Sequence, residues 1–175
     1  NIAGYGDADV ERLQLLAQVL GGSKSSRLDK RLAFEEKLVD SVSASASASQ
    51  LDGGFSITAD VKQGVDPAKV EAIIDEELKQ LLAEGPTATE LEQARTVFKA
   101  GFIRGIERIG GFGGKADALA ECAVYTGNPG CFRDSLKVID TATNADLLAA
   151  AKRWLNHGSL TLVVSPGERT PLAED

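Results

Sequence analysis

Side chains that could bind a catalytic metal are scarce in this sequence, which contains one histidine and two cysteines. Zinc hydrolases need histidines and carboxylates that converge from fixed spacing, as in the helical motifs HExxH and HxxEH. His157 stands alone between Asn156 and Gly158, residues that favour a solvated turn over a metal ligand. Because no GxSxG motif is present either, we predict no catalytic residue and no metal-binding residue in this chain.

The two cysteines, Cys122 and Cys131, lack the CxxC spacing of metal and redox motifs and are too few for a disulfide framework. A bridge between them would depend on an oxidising compartment, which residue types alone do not specify. We therefore favour two separate thiols, buried or free, and leave a single disulfide as the alternative.

A glycine-rich stretch that ends at Gly113-Gly114-Lys115 could in principle cradle a phosphate, because backbone amides without side chains can bind anions. A Walker motif would require glycine in place of Ile109 and serine or threonine in place of Ala116, with a strand before the loop. These conditions are not met, so we expect a junction between helices and no cofactor-binding residue.

The overall charge argues against two classes of partner. The formal net charge of -7 and the isoelectric point near 4.8 would repel phosphate backbones and anionic lipid headgroups. No apolar run reaches the roughly 18 residues that span a bilayer. We therefore expect neither nucleic acid nor a membrane as a partner.

The length indicates one domain. A chain of 175 residues with 43% hydrophobic content suits a single core of ordinary size. We assign residues 1–165 to this domain and the polar residues 166–175 to a linker or tail. Since the sequence lacks an initiator methionine and ends in this tail, we expect a segment of a longer protein.

Helical patterns occupy most of the chain. Asp66-Pro67 is an N-cap followed by proline at the first helical position, and Thr87 with Glu90 forms a capping box. Apolar residues at helical spacing predict helices over residues 9–20, 25–36, 67–84, 88–108 and 116–125, with a further helix after Thr143.

Period-two patterns predict strands. Residues 41–49 alternate serine with valine or alanine, and residues 55–61 alternate again after the turn at Asp52-Gly53-Gly54, which predicts an antiparallel hairpin. The alanine face would let a helix approach closely, and the serines would face the other side. Residues 159–164 predict a final strand. The order of elements favours an α+β fold, an antiparallel-rich sheet with helices packed on one face.

Six short motifs follow one another along the chain. They are Leu20-Gly21-Gly22, Ser26-Arg27-Leu28, residues 36–44, Gly85-Pro86-Thr87 with residues 90–94, residues 110–119, and residues 127–130. In this order they resemble the pitrilysin/insulinase family of zinc metalloproteases, from about Asp7 to Pro166. The chain looks like a non-catalytic repeat of that family, and the last two motifs resemble its bacterial long-chain members.

The resemblance implies the metallohydrolase-repeat fold and a role next to a catalyst. Members of the family build a clam-shell in which one domain bears HxxEH and zinc while the others enclose the peptide substrate. The resemblance therefore implies that this domain works beside a zinc-bearing catalytic domain, which lies in the same chain or in a second chain. It also suggests a periplasmic location. The runner-up is a structural homologue without protease activity, like core subunits of respiratory complexes.

One departure from the family bears on the role of this domain. Some non-zinc domains contribute an arginine and a tyrosine, seven residues apart, that contact the substrate near the metal. Ala33 and Asp40 hold those places here. Arg31 lies two positions away, roughly 200° around an α-helix, and is not accepted as a substitute. The departure points to a domain that packs and encloses.

Overall fold

The computed structural model describes residues 1–167, so most of the predicted tail lies outside the described residues. A two-stranded antiparallel sheet packs against helices on one face, which confirms the α+β fold. In chain order the elements are α1 (Ala8–Gly21), a π-helical segment (Asp29–Glu35), β1 (Val39–Ala48), β2 (Gly53–Val61), α2 (Pro67–Glu84), α3 (Ala88–Glu107), α4 (Lys115–Thr126), α5 (Phe132–Thr141) and α6 (Asn144–Trp154).

Helix α1 runs through the centre of the core. The Asp7 side chain accepts a hydrogen bond of 2.8 Å from the Asp9 amide and so caps the first turn. The helix packs against β1 on one side and against α3, α5 and α6 on the others. Enclosure on several sides explains why the helix is apolar around most of its circumference. Its fully buried side chains include Leu13, Leu15, Leu16 and Leu20.

Gly21 brings the end of α1 into close contact with β1. A Cβ atom at this position would lie 2.5 Å from the Ala44 amide nitrogen and 2.9 Å from the Ser43 carbonyl carbon. Only a glycine fits such an approach of one backbone to another. The Ala44 side chain faces the helix and is buried. The prediction that a small strand face allows a helix to approach closely is therefore confirmed.

The hairpin has the predicted orientation. Ser45 pairs with Ser56 and Ala46 with Phe55 in the antiparallel register. Along β1 the serines are exposed, whereas Val42 and Ala44 are buried beneath the helices. A bulge next to Val39 shifts the register at the start of the strand. The serine side chains therefore cover the face of the sheet that points away from the helices.

The second predicted helix forms, but most of it is a π-helix. After one short turn at Arg27-Leu28 the chain widens into the π-helical segment, whose end is set by Lys37 with a positive φ of 55°. The Leu38 amide then donates to the Leu32 carbonyl at 2.8 Å. An α-helical turn and a π-helical turn differ in length by less than one residue. Over so short a stretch, the spacing of apolar residues therefore does not distinguish the two kinds of helix.

The helix caps follow the sequence closely. Asp66 caps α2, and the capping box of Thr87 and Glu90 is present at α3. A second capping box, between Thr143 and Asp146, starts α6. Within the described part of the chain, no helix has both the length and the apolar character required to cross a membrane.

The second half of α3, the loop at residues 108–114 and α4 form an arm with little burial. Gly111 and Gly113 have positive φ angles of 82° and 71°, which explains why glycines occupy this junction. Cys122 is the only buried side chain of α4. It forms a disulfide with Cys131, so the favoured interpretation of two separate thiols was wrong. The bridge links α4 to the start of α5.

The predicted final strand does not form. Residues 159–164 have no regular structure among the described residues, and the side chains of Leu160 and Leu162 are exposed. The Thr161 hydroxyl of this segment donates a hydrogen bond of 2.7 Å to the Glu71 carboxylate. A strand requires a neighbouring strand for its amide and carbonyl groups, and sequence alternation cannot supply one.

Candidate functional site

The residues that could have carried chemistry do not converge. His157 lies in an open groove of about 790 Å³ lined also by Asn1, Arg153, Trp154 and residues 158–160, none of which is a carboxylate. In the described residues no three side chains of histidine, cysteine, aspartate or glutamate are grouped so as to hold a metal ion. Both cysteine sulfurs are engaged in the disulfide, so neither can serve as a thiolate.

The two positions that differ from the family pattern lie on either side of the π-helical segment's end. Ala33 is half-buried against the core, whereas Asp40 is exposed at the bulge of β1. Arg31 lies within 3.9 Å of Glu36 and 3.6 Å of Glu76, so its guanidinium group faces two carboxylates of its own chain. Through its contact with Glu76, Arg31 joins the π-helical segment to α2.

The exposed face of the sheet is a continuous polar surface, named here the hydroxyl face. Ser41 donates a hydrogen bond to Asp60, and the hydroxyls of Ser45 and Ser56 lie 2.9 Å apart. No histidine belongs to this face, and the Ser41 hydroxyl donates to a carboxylate without the imidazole that activates serine in a catalytic triad. Its members are Ser41, Ser43, Ser45, Ser47, Ser56, Thr58 and Asp60.

An ion pair fixes the loop that joins α1 to the π-helical segment. The Arg27 guanidinium donates to both carboxylate oxygens of Glu90 at 2.7 Å and to the Gly85 carbonyl at 3.1 Å. Burial by itself would raise the pKa of Glu90, but hydrogen bonds from Arg27 and Thr87 outweigh it and lower the pKa to about 2. Arg27 is therefore committed to packing and is not free for a substrate.

Asp9 is a buried acidic residue that sequence analysis missed. It is 5% exposed and accepts hydrogen bonds from Arg12 at 2.8 Å, Trp154 at 2.9 Å and Arg153 at 3.3 Å. Burial opposes ionisation, yet the hydrogen bonds from Trp154 and Arg12 lower the pKa of Asp9 below its ordinary value. The carboxylate thus ties α1 to α6. In the sequence, the one feature that pointed to a buried Asp9 was its place as an acidic residue in the first turn of an apolar helix.

Tyr5 lies against the disulfide. Its hydroxyl is 3.7 Å from the Cys122 sulfur and 3.6 Å from the Cys131 sulfur, and its ring centroid lies 5.0 Å from that of Tyr125. Burial, followed by the negative charges of Glu121 and Glu11, raises the pKa of Tyr5. The hydroxyl therefore stays protonated at neutral pH, which suits packing rather than nucleophilic chemistry.

Comparison with known proteins gives one family match. The model of the peptidase M16 inactive domain matches residues 1–98. No curated protein matches the sequence. Among solved structures, a protease from Helicobacter pylori is similar at a TM-score of 0.76 and 20% identity, over 88% of this chain and 36% of that chain. The chain thus spans little more than a third of that relative.

Two further solved structures are also similar to this chain. A candidate zinc protease from Bordetella pertussis is similar at a TM-score of 0.75 and 25% identity, over 88% of this chain and 83% of that one. The periplasmic protease PqqL from Escherichia coli is similar at a TM-score of 0.68 and 13% identity, over 90% of this chain and 16% of that one. At identities of 20% and 13%, the similarity to the Helicobacter pylori protease and to PqqL concerns the fold alone.

Proposed function

Because this chain belongs to the family of peptidase M16 inactive domains, we propose that it encloses the substrate of a zinc endopeptidase without taking part in the chemistry. A separate domain, in the same chain or in a partner chain, carries HxxEH and zinc and hydrolyses the peptide. This chain supplies a rigid wall next to that site.

The observation that carries the proposal is the hydroxyl face. Polar side chains cover one side of the hairpin while the other side is packed against helices. Such a face offers an extended peptide mostly uncharged hydrogen-bonding groups, together with the Asp60 carboxylate, and this suits one side of a hydrated chamber.

The test is complementation by the zinc-bearing domain encoded in the same or an adjacent open reading frame. We expect no cleavage of an unstructured fluorogenic peptide by this chain alone, and cleavage after the HxxEH domain is added. Ser45→Leu should raise KM several-fold, because it replaces a hydroxyl at the centre of the hydroxyl face. Ser25→Leu, at an exposed serine in the loop after α1, is the matched control and should not change KM.

Turnover by the isolated chain that survives chelators would contradict an enclosing role. The alternative, an assembly homologue without protease activity, rests on the fold, which relatives of low identity share. It predicts that neither the parent chain nor an adjacent reading frame encodes HxxEH, and inspection of those sequences distinguishes the two.

We propose a periplasmic location for the same protein. The disulfide between Cys122 and Cys131 requires an oxidising compartment, and PqqL, which has this fold, is a periplasmic protease. Thiol alkylation of cell fractions should find both cysteines blocked in exported protein and reactive in protein retained in the cytoplasm. Free thiols in the exported fraction would contradict the proposal.

A further inference from the structure

The disulfide between Cys122 and Cys131 joins the arm to the remaining elements, which are named the body here. Cys122 lies in α4 and is fully buried, and Cys131 directly precedes α5 and is 8% exposed. Helix α5 is part of the core through Ile139, which is fully buried. The bridge therefore fastens α4 to a helix that is itself fixed in the core.

Other contacts of α4 with the body are few. Among the described residues, no ion pair involves α4. Its Asp117 and Thr126 side chains form hydrogen bonds within the helix or with the loops at its two ends, and Val124 is 70% exposed. The Tyr125 ring packs on Tyr5, whose hydroxyl lies against both sulfurs. This contact with the body is therefore centred on the disulfide.

Helix α4 is too short to persist by itself. It has 12 residues, and an isolated helix of roughly that length is marginal in water. Gly111 and Gly113 precede it and Gly127 follows it, with φ angles of 82°, 71° and 70°. Glycines give the chain conformational freedom at both ends of the helix. The helical state of α4 therefore depends on its attachment to the body.

We propose that Cys122 and Cys131 form a redox latch, in which the disulfide holds α4 on the body and reduction releases α4 while the body stays folded. The body does not need the latch, because α1 packs against β1, α3, α5 and α6 through its own fully buried side chains. As a consequence, α4 takes its place only where the two cysteines are oxidised.

Closing the latch is a thiol–disulfide exchange with a disulfide-bearing oxidant. The thiolate of one cysteine attacks the disulfide of the oxidant, which gives a mixed disulfide and releases one thiol of the oxidant. The thiolate of the other cysteine then attacks the mixed disulfide, forms the bond between Cys122 and Cys131, and displaces the second thiol. Two electrons pass to the oxidant, and the two protons that leave the cysteines end on its thiols.

Burial makes the latch asymmetric. When α4 is docked, Cys122 is fully buried and Cys131 is 8% exposed, so a reducing thiolate has little access to either sulfur. When α4 is released, both thiols are open to an oxidant. The compartment in which the chain folds therefore sets the state of α4, and the closed latch protects its own bond.

Hydrogen exchange tests the proposal on the 175-residue chain, refolded with or without dithiothreitol. Amides of residues 115–126 should exchange at least about tenfold faster in the reduced chain, because released α4 loses its helical hydrogen bonds. Amides of residues 8–21, in α1, should exchange equally slowly in both forms. The Cys122 thiol of the reduced chain should react with iodoacetamide without urea.

Variants separate the bridge from the reductant. Cys122→Ala with Cys131→Ala should reproduce the exchange of the reduced chain and should not respond to dithiothreitol. Val124→Ala is the matched control, because it shortens an exposed side chain of α4 and leaves the bridge intact. Its residues 115–126 should stay protected under oxidising conditions. If the double variant fails to fold, the reduced wild type gives the same test without a substitution.

Three outcomes would overturn the proposal. The first is equal exchange of residues 115–126 in the oxidised and reduced chains. The second is a loss of protection on reduction that is as large in α1 as in α4, which would make the bridge a support of the whole fold. The third is a Cys122 thiol in the reduced chain that reacts only in urea.

Discussion

At the scale of single residues, three charged side chains of low exposure join one element to another. Asp9 joins α1 to α6, and Arg27 joins the loop after α1 to α3. Arg95 donates to the carbonyls of Ile139 and Ala142, both at 2.8 Å, and so caps the end of α5. Because each of these side chains forms hydrogen bonds between elements, we expect its removal to lower the free energy of unfolding.

Glu90→Gln tests the best-defined of these contacts. We expect a loss of about 2 kcal/mol in the free energy of unfolding near neutral pH, since the substitution leaves Arg27 without its paired charge. The folded pKa of about 2 lies below the ordinary 4.5, so this contribution is complete above 4.5 and is lost as the pH falls towards 2.

Urea unfolding of both proteins over this pH range measures the effect. The difference between wild type and Glu90→Gln should shrink steadily on acidification. A difference that stayed constant down to pH 2 would contradict the ion pair as its source.

At the scale of elements, two contacts decide how the helices sit on the sheet and on each other. The close approach of α1 to β1 depends on Gly21 facing Ala44. The attachment of α4 depends on the disulfide, because Cys122 is its only buried side chain. A covalent link therefore replaces the apolar burial that anchors the other helices, and it leaves the outward side of α4 exposed.

Gly21→Ala should destabilise the protein by about 2 kcal/mol or more, because the added methyl group meets backbone atoms that cannot rotate away. Gly54→Ala is the matched control. A Cβ atom there has no neighbour within 4 Å, and the change should leave the melting temperature unchanged or slightly raised. Thermal unfolding followed by circular dichroism compares the two, and equal effects would refute the close contact.

At the scale of the whole molecule, the described residues form two layers, helices and a hairpin, and the outer side of the hairpin is polar. Helices occupy one side of the hairpin, and the hydroxyl face occupies the other. Among the described residues, most of the large exposed apolar side chains lie in the arm and in residues 159–164, whereas Phe34 and Leu51 lie elsewhere.

We expect the purified chain to hold no zinc at a stoichiometric level. The chain has one histidine, its two cysteines are joined in a disulfide, and the described residues bring no three potential ligands together, carboxylates included. Elemental analysis after dialysis measures the metal, with His157→Ala as the control. One zinc per chain that is retained by the wild type and lost in His157→Ala would contradict this expectation.

The sequence by itself determined the elements whose causes are local. Asp66-Pro67 and the Thr87–Glu90 capping box set helix starts through contacts within a few residues, and the alternation of residues 41–49 set the faces of β1. These features follow from neighbours along the chain, so no tertiary contact was needed to predict them.

Only the tertiary structure decided the features that depend on distant partners. Cys122 and Cys131 are bridged because α4 and α5 bring them together, and Asp9 is buried because Arg153 and Trp154 reach it from α6. Residues 159–164 have the pattern of a strand but no described neighbour, so they remain unpaired. A strand is completed by hydrogen bonds to another strand, and that partner cannot be found within the segment's own sequence.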